Sequence, residues 1–386
     1  MPINLLKMPY LVGVGIVTEL DYEQIFLLSL CSRRTKCLVE KARIKVPKLM
    51  FNFGKYEAFE TFVIWVVSDK KWLYVTSMIH VPKLDLNRVS NVNPAVDDLA
   101  ETNTPHITAP LRTVDYELAD KEHVPELNLE EDLNEESVPD YNVIYGSRYL
   151  KKGSIRHCIE CANEPMAVQK TFQDITNSIF HYSDTCQLIL KCKGRLPNIA
   201  NVKHIEIKHD TVDTEFLTNV LMRYPDPHTL SVKSTIVGDI PEDSSFFQIQ
   251  NIYVASQCGP DYFHNFVGRN MFLERVTVTE QDLIQFVDRW ISNEAYHNLE
   301  TLSIFIDYPL IMNVGLIRQA IEFEEYDPNE PEKRPEHFVI DAPFFQHCAK
   351  DQYSLRNENV VEIKRNTDGK RAFLSIYPTH FQFITR

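Results

Sequence analysis

The chain has 386 residues, 44% of them hydrophobic, and a formal net charge of −14. That length suits two or three domains with a sizeable core, and the negative balance argues against nucleic acid or an anionic membrane as the main partner. Eight cysteines are too sparse for a disulfide scaffold and read as reduced thiols of the cytoplasm or nucleus; no apolar run reaches the ~18 residues of a spanning helix.

The first element is the stretch "MPYLVGVGIVTELDYEQIFLLSLCSRRTKCLV", Met8 to Val39. It lacks the small-residue cleavage site of an export signal. Its "GVG" lacks the rest of a dinucleotide-binding loop. The spacing predicts three short helices. Pro9 opens the first, whose apolar positions are Leu11, Val12, Ile16 and Leu20. Asp21 caps the second, with Gln24 completing a capping box, and Ile25, Leu28 and Leu30 continue the apolar set. Ser32 caps the third, on which Arg33, Arg34 and Lys36 face water and Leu38 and Val39 face the core. Gly13 and Gly15 sit inside the first helix, each costing about 0.5–1 kcal/mol relative to Ala. A unit this small leaves apolar surface for another protein.

These residues resemble an F-box of the nematode type: Pro9, then Leu11-Val12, Ile16, Leu20 and "LSLCSRRTKCLV". The likeness spans about residues 2–45. It implies docking on the small adaptor subunit of an SCF (cullin-RING) ubiquitin ligase, through Pro9, Leu11, Val12, Ile16, Leu20, Ile25, Leu28 and Leu30.

Next, "ETFVIWVV" and "KWLYVTSM" read as β-strands joined at "SDKK". From Val96 to Asp140 there are 14 acids and two bases, leaving about −2 for the rest of the chain. This stretch reads as a solvated, disordered insertion or a regulated acidic contact segment. "YNVIYGSRYL" and "CQLILKCKG" resume strand character, with "AVQKTFQDITNSIFHYS" between them as a helix. Residues 46–196 thus read as a mixed α/β middle region.

From about Pro197 short strands recur: Ile205 and Ile207, Leu230 and Val232, Ile252 and Val254, Val276 and Val278, Leu302 and Ile304. The helix-like segments "DTEFLTNVLMRY", "PDYFHNFVGR" and "EQDLIQFVDRWI" lie between them. A strand and a helix every ~25 residues suggests a degenerate leucine-rich-repeat-like solenoid, without the usual Asn, that offers an extended binding face. The alternative is an ordinary α/β sheet. Part of this region, Thr279, Asp282, Leu283, Phe286, Trp290, Asn298, Leu299, Glu300, Leu302 and Ile304, resembles the nematode F-box-associated domain. "VVEIKRNTDGKRAFLSIY" resembles that family's terminal hairpin, turning at "NTDG". The resemblance implies recognition of a protein target over 197–386 and fixes no target-binding residue.

Chemistry is sparse. His157, Cys158 and Cys161 form the one C-x-x-C, short of the four ligands of a structural zinc site; a redox pair or ordinary thiols are the other readings. Cys186 and Cys192 are spaced wrongly to complete a metal site. Trp290 reads as a core anchor, His264 as a half-buried histidine, and Glu324-Glu325 as part of a polar loop. No catalytic motif is present. The expectation is therefore a non-enzymatic α+β / α/β protein without cofactor or metal. Its regions are an F-box (1–45), a middle region (46–196) and an F-box-associated repeat domain (197–386). Its partners would be the SCF adaptor, a cullin through it, and an unknown protein target. A stand-alone protein-binding module is the alternative.

Overall fold

The computed structural model describes residues 5–56, 59–68, 71–79, 165–182, 185–194, 196–307, 309–340 and 352–386. The acidic stretch 96–140, "YNVIYGSRYL" and the His157–Cys161 cluster lie outside these residues. The architecture is mixed α/β. Its contacts divide into one unit of Met1–Cys186 with Pro197–Ala200, and a second of Gln187–Leu196 with Asn201–Arg386.

The first unit opens with α1 (Tyr10–Thr18), α2 (Tyr22–Cys31) and α3 (Arg33–Ala42). Pro9 sits one residue earlier than expected, at the cap position before α1, with φ −54° and ψ 141°. A residue there keeps extended backbone, so the ring still loses no helical hydrogen bond. Asp21 accepts from Gln24 N–H at 2.9 Å while Gln24 returns a bond to Asp21 N–H at 3.2 Å. Ser32 and Thr35 make the same reciprocal pair for α3. Two donors at the starts of α2 and α3 are thereby satisfied locally, which helps two helices of ten residues each to form; α1 has no side-chain cap.

The chain then runs through β1 (Ile44–Lys45), β2 (Lys48–Tyr56), β3 (Phe59–Ser68) and β4 (Lys71–Ile79). β2, β3 and β4 form an antiparallel meander. After the gap come α4 (Pro165–Ile179) and β5 (Phe180–His181), which pairs in parallel with β1. Phe26 of α2 packs on Phe172 of α4 at 5.3 Å between ring centroids, and Tyr22 meets Phe180 edge-on at 5.7 Å. Part of the apolar surface of the helices is thus covered by this unit's own chain.

The second unit contains β6 (Cys186–Leu190), β7 (Val202–Ile207), β8 (Thr211–Asp213), α5 (Thr214–Arg223), β9 (Thr229–Val232) and β10 (Thr235–Val237). It continues with β11 (Asn251–Val254), α6 (Asp261–His264), β12 (Asn270–Val276), α7 (Glu280–Ile291), β13 (Thr301–Ile306) and α8 (Val314–Ala320). It ends with β14 (His337–Val339), β15 (Gln352–Ser354), β16 (Val360–Lys364), β17 (Arg371–Tyr377) and β18 (His380–Thr385). The sheet order is β16-β17-β18-β13-β12-β11-β9-β7-β6. β7, β9, β11, β12 and β13 run parallel, and β13, β18, β17 and β16 antiparallel.

Registration across the parallel strands aligns Ile205, Leu230, Ile252, Met271 and Leu302 in one row. Ile207, Val232, Val254, Leu273 and Ile304 form the next row, and every member of both is buried. Four of the five strands are those expected from the recurring apolar pairs. The fourth differs: Met271 and Leu273, not Val276 and Val278, occupy the rows. Arg275 takes a left-handed conformation (φ 56°), the register shifts between Leu273 and Val276, and Val278 falls beyond the strand. The "VTV" alternation mimics a strand, whereas the true strand, "NMFL", is buried on both faces and shows no alternation.

α7 lays Leu283, Phe286, Val287 and Trp290 on this apolar face. Phe286 and Trp290 meet Phe383 of β18 edge-on, at 5.1 and 5.2 Å. The terminal hairpin β16–β17 forms as expected, with Gly369 supplying the positive φ (68°) of its turn.

Candidate functional site

The expected docking residues separate by burial. Leu11 and Val12 of α1 are 79% and 47% exposed, and Tyr10 beside them is 52% exposed. Pro9 is exposed, and Ile16, Leu20, Leu28 and Leu30 are half-buried. Ile25 is 1% exposed and belongs to the core; it can support a docking face but not touch a partner. Lys41 Nζ lies 5.7 Å from the Tyr10 ring centroid. A small cavity of about 230 Å3 opens between Tyr10, Met8 and Leu38. Gly13 sits where α1 meets α3: a Cβ there would lie 3.4 Å from Leu38 Cδ1. The other glycine, Gly15, meets nothing. The α1 surface is thus an apolar patch on a short helix whose partners within the unit hold it from one side.

In the second unit the starts of the parallel strands carry a buried polar ladder. Asn251 Nδ2 donates to His228 O (2.9 Å) and Thr229 Oγ1 (3.4 Å). Asn270 Nδ2 donates to Asn251 Oδ1 (2.8 Å), and Thr301 Oγ1 to Asn270 Oδ1 (2.5 Å). The ladder ties four strands together at one end. Sequence reading missed it, because the wrong register for β12 hid the fact that Asn251 and Asn270 occupy the same position.

The sheet face opposite α7 carries Glu206, Ser231, Tyr253, Phe272 and Ser303 side by side. Ile340 packs over Tyr253 and Phe272. Glu206 is buried and holds Lys208 Nζ at 3.3 Å and Lys233 Nζ at 3.0 Å. Further along, Phe305 (44% exposed), His380 and Tyr377 stack in a row, with centroid separations of 5.7 and 4.4 Å. Phe305 is exposed, and His380 and Tyr377 are half-buried. Burial holds the His380 imidazole below its ordinary pKa.

The remaining candidates have local roles. Trp290 is fully buried, with the Arg365 guanidinium 4.7 Å from its ring centroid. His264 is half-buried; its Nδ1 lies 3.1 Å from Tyr296 Oη, and burial lowers its pKa. Glu324 pairs with Lys364 at 2.6 Å, which pulls its carboxyl below the usual range, and Glu325 pairs with Arg318 at 2.9 Å. They serve separate ion pairs and share no proton. Nearby, buried Glu362 takes two bonds from Arg371, at 2.6 and 2.7 Å.

The thiols of Cys186 and Cys258 are buried, and burial pushes both up, the latter to about 12. That is the opposite of an activated thiolate. Among the described residues no group of three or more His, Cys, Asp or Glu is placed to hold a metal ion, and no helix is long and apolar enough to cross a membrane. Compared with models of known families, with characterised proteins and with solved structures, the chain matches none.

Proposed function

We propose that the chain is a substrate-recognition subunit of an SCF-type ubiquitin ligase. In this reading residues 1–45 act as an F-box: α1 docks on the adaptor through Leu11 and Val12, with Pro9, Ile16, Leu20, Leu28 and Leu30 around them and Ile25 as internal support. The registered strands of the second unit act as degenerate leucine-rich-type repeats that hold a protein target, with the aromatic row at Phe305, His380 and Tyr377 as the contact surface. The ligase would gain rate by keeping a target lysine near the ubiquitin-charged enzyme, with no catalytic residue supplied by this chain. Its place would be the cytoplasm or the nucleus.

The observation that most supports the reading is the exposure of Leu11 and Val12 on a helix entered from Pro9 and backed by two capped helices. Large aliphatic groups at such exposure on a short helix suit a partner's groove. The packing of Phe26 on Phe172 favours the second reading, a stand-alone binding module whose N-terminal helices belong to its own core.

Pull-down of SCF adaptor paralogues by the full chain separates the two. Deleting residues 1–45 would also strip Phe26 from Phe172, so the control is the double variant Leu11→Asp/Val12→Asp. Adaptor captured by the unaltered chain and lost, by about tenfold or more in affinity, with the variant supports the ligase subunit. Adaptor captured by neither leaves the binding module.

A further inference from the structure

Val232, Val254, Leu273 and Ile304 stand in register near the ends of β9, β11, β12 and β13. The next residue along each chain turns to the opposite face. These residues are Lys233, Ala255, Glu274 and Phe305. Phe305 pairs with His380 of β18, and His380 with Tyr377 of β17. Together they line one edge of the face opposite α7, and none of them is buried. The register shift after Leu273 matters here. Ile304 pairs with Leu273 but Ile306 with Val276, so Glu274 and left-handed Arg275 both stand opposite Phe305.

The charges along this edge are not equivalent. Lys233 Nζ is held by the buried Glu206 at 3.0 Å, and Arg275 Nε by Asp307 at 3.3 Å. Half-buried Glu274 has no side-chain partner among the described residues. The unanswered charge beside Phe305 is therefore negative. The rings of Tyr377, His380 and Phe305 lie nearly parallel, with interplanar angles of 20° and 22°. His380 covers one face of Phe305. The other face is turned toward β12, where Glu274 stands. Burial holds the His380 imidazole below its ordinary pKa, so the row is uncharged at neutral pH. An electron-rich ring face and a carboxylate both attract a cation.

We propose that this edge binds a basic side chain of the protein target, seated between the open face of Phe305 and the Glu274 carboxylate. Arginine suits the place better than lysine, because a planar guanidinium can stack on the ring while its N–H groups reach the carboxylate. An acidic or purely apolar segment would desolvate Glu274 without answering its charge. The inference rests on the reading of the aromatic row as the target contact surface, and not on adaptor docking.

The test selects phage-displayed random short peptides on the full chain, then titrates the synthesised winner by fluorescence polarisation. The expected winner carries an arginine at a fixed position. Its affinity falls about tenfold for Glu274→Gln and falls further for Glu274→Lys. Phe305→Leu, which keeps an apolar group but removes the ring, weakens binding, while Phe305→Trp preserves it. Replacing the peptide's arginine by citrulline costs a similar factor, and combining that change with Glu274→Gln costs less than the sum of the two. Peptides that depend on Phe305 but lack a base, or that bind the Glu274→Gln chain equally, overturn the proposal and leave the row as a contact surface. Peptides that ignore both residues, or no enrichment at all, overturn the row with it. A melting temperature lowered by Glu274→Gln in the peptide-free chain also overturns the proposal, because the carboxylate would then serve the fold. Because the probe is a peptide, none of these results bears on adaptor capture.

Discussion

Helices α1 and α7 both carry large apolar side chains and put them to opposite use. α7 carries Leu283, Phe286, Val287 and Trp290 at helical spacing, and all four are buried. α1 is apolar on every side, and of its residues only Gly13 and Val17 are buried. α7 starts with a reciprocal cap between Thr279 and Asp282; α1 has no side-chain cap. Apolar content alone therefore does not say whether a helix is core. A single stripe does, because only a stripe can be covered by one sheet. The sharpest way to break this contrast is Trp290→Ala. It removes ring contacts to Phe383 and the platform beneath Arg365. The expected loss is about 3–5 kcal/mol in urea unfolding. Leu11→Ala on the exposed helix should stay within about 0.5 kcal/mol. Equal losses would mean that α1 is covered in the folded protein and is not a free surface.

A second contrast lies between the caps of the first unit and the buried ladder of the second. Both rest on side-chain oxygens and amides, yet the Asp21–Gln24 cap of α2 is exposed and the ladder is buried. Asn270→Ala would leave Asn251 Oδ1 without its donor and Thr301 Oγ1 without its acceptor. Stranding buried polar groups costs about 1–3 kcal/mol. Gln24→Ala, at an exposed cap where water can substitute, should cost less than Asn270→Ala in the same denaturation assay.

A smaller effect of opposite sign tests whether α1 is tuned for stability at all. Gly15 is exposed in the helix interior with open space where a Cβ would go. Gly15→Ala should raise stability by about 0.5–1 kcal/mol through helix propensity and a less free unfolded chain. Gly13→Ala should gain at least as much, since its Cβ would meet Leu38 Cδ1 and Cδ2 in ordinary contact at 3.4 and 3.5 Å. A thermal melt of the two variants ranks them; the reverse ranking would move the α1–α3 contact elsewhere.

What could be read beforehand follows from range. The capping residues Asp21, Gln24 and Ser32 act within three positions, so their pattern is local and legible. The strands β3 and β4, helices α4 to α7 and the terminal hairpin announce themselves by period and turn residues in the same way. The row of Phe305, His380 and Tyr377 exists because β13, β18 and β17 pair, which joins residues as far apart in sequence as Ser303 and Gln382. No local pattern encodes that. The Asn251–Asn270 ladder needs the register of β12, and one left-handed residue, Arg275, was enough to disguise it. The docking face was half legible: the pattern marked Pro9 and seven apolar positions over α1 and α2, but only packing against α4 and β4 separates exposed Leu11 from buried Ile25.

The smallest expected effect concerns pH and again sets one polar group against its surroundings. His264 Nδ1 faces Tyr296 Oη, while its Nε2 is buried with no partner among the described residues. Burial is the largest influence and lowers its pKa; Asp282 and Asp261 oppose this and Arg289 reinforces it. The unfolded chain regains an imidazole pKa near about 6.5. Between that value and the lower folded one, the unfolded state binds the extra proton. Stability from this group is therefore complete above about pH 6.5 and declines as the pH falls toward the folded value. His380 shifts in the same direction and adds to the trend. Melting temperature should thus fall on moving from about pH 7.5 to about pH 5.5, and His264→Gln should flatten that slope while leaving the His380 share. Tyr296→Phe removes the hydroxyl partner without adding charge, so it should lower stability at both pH values and keep most of the slope. A slope untouched by His264→Gln would place the proton uptake elsewhere in the chain.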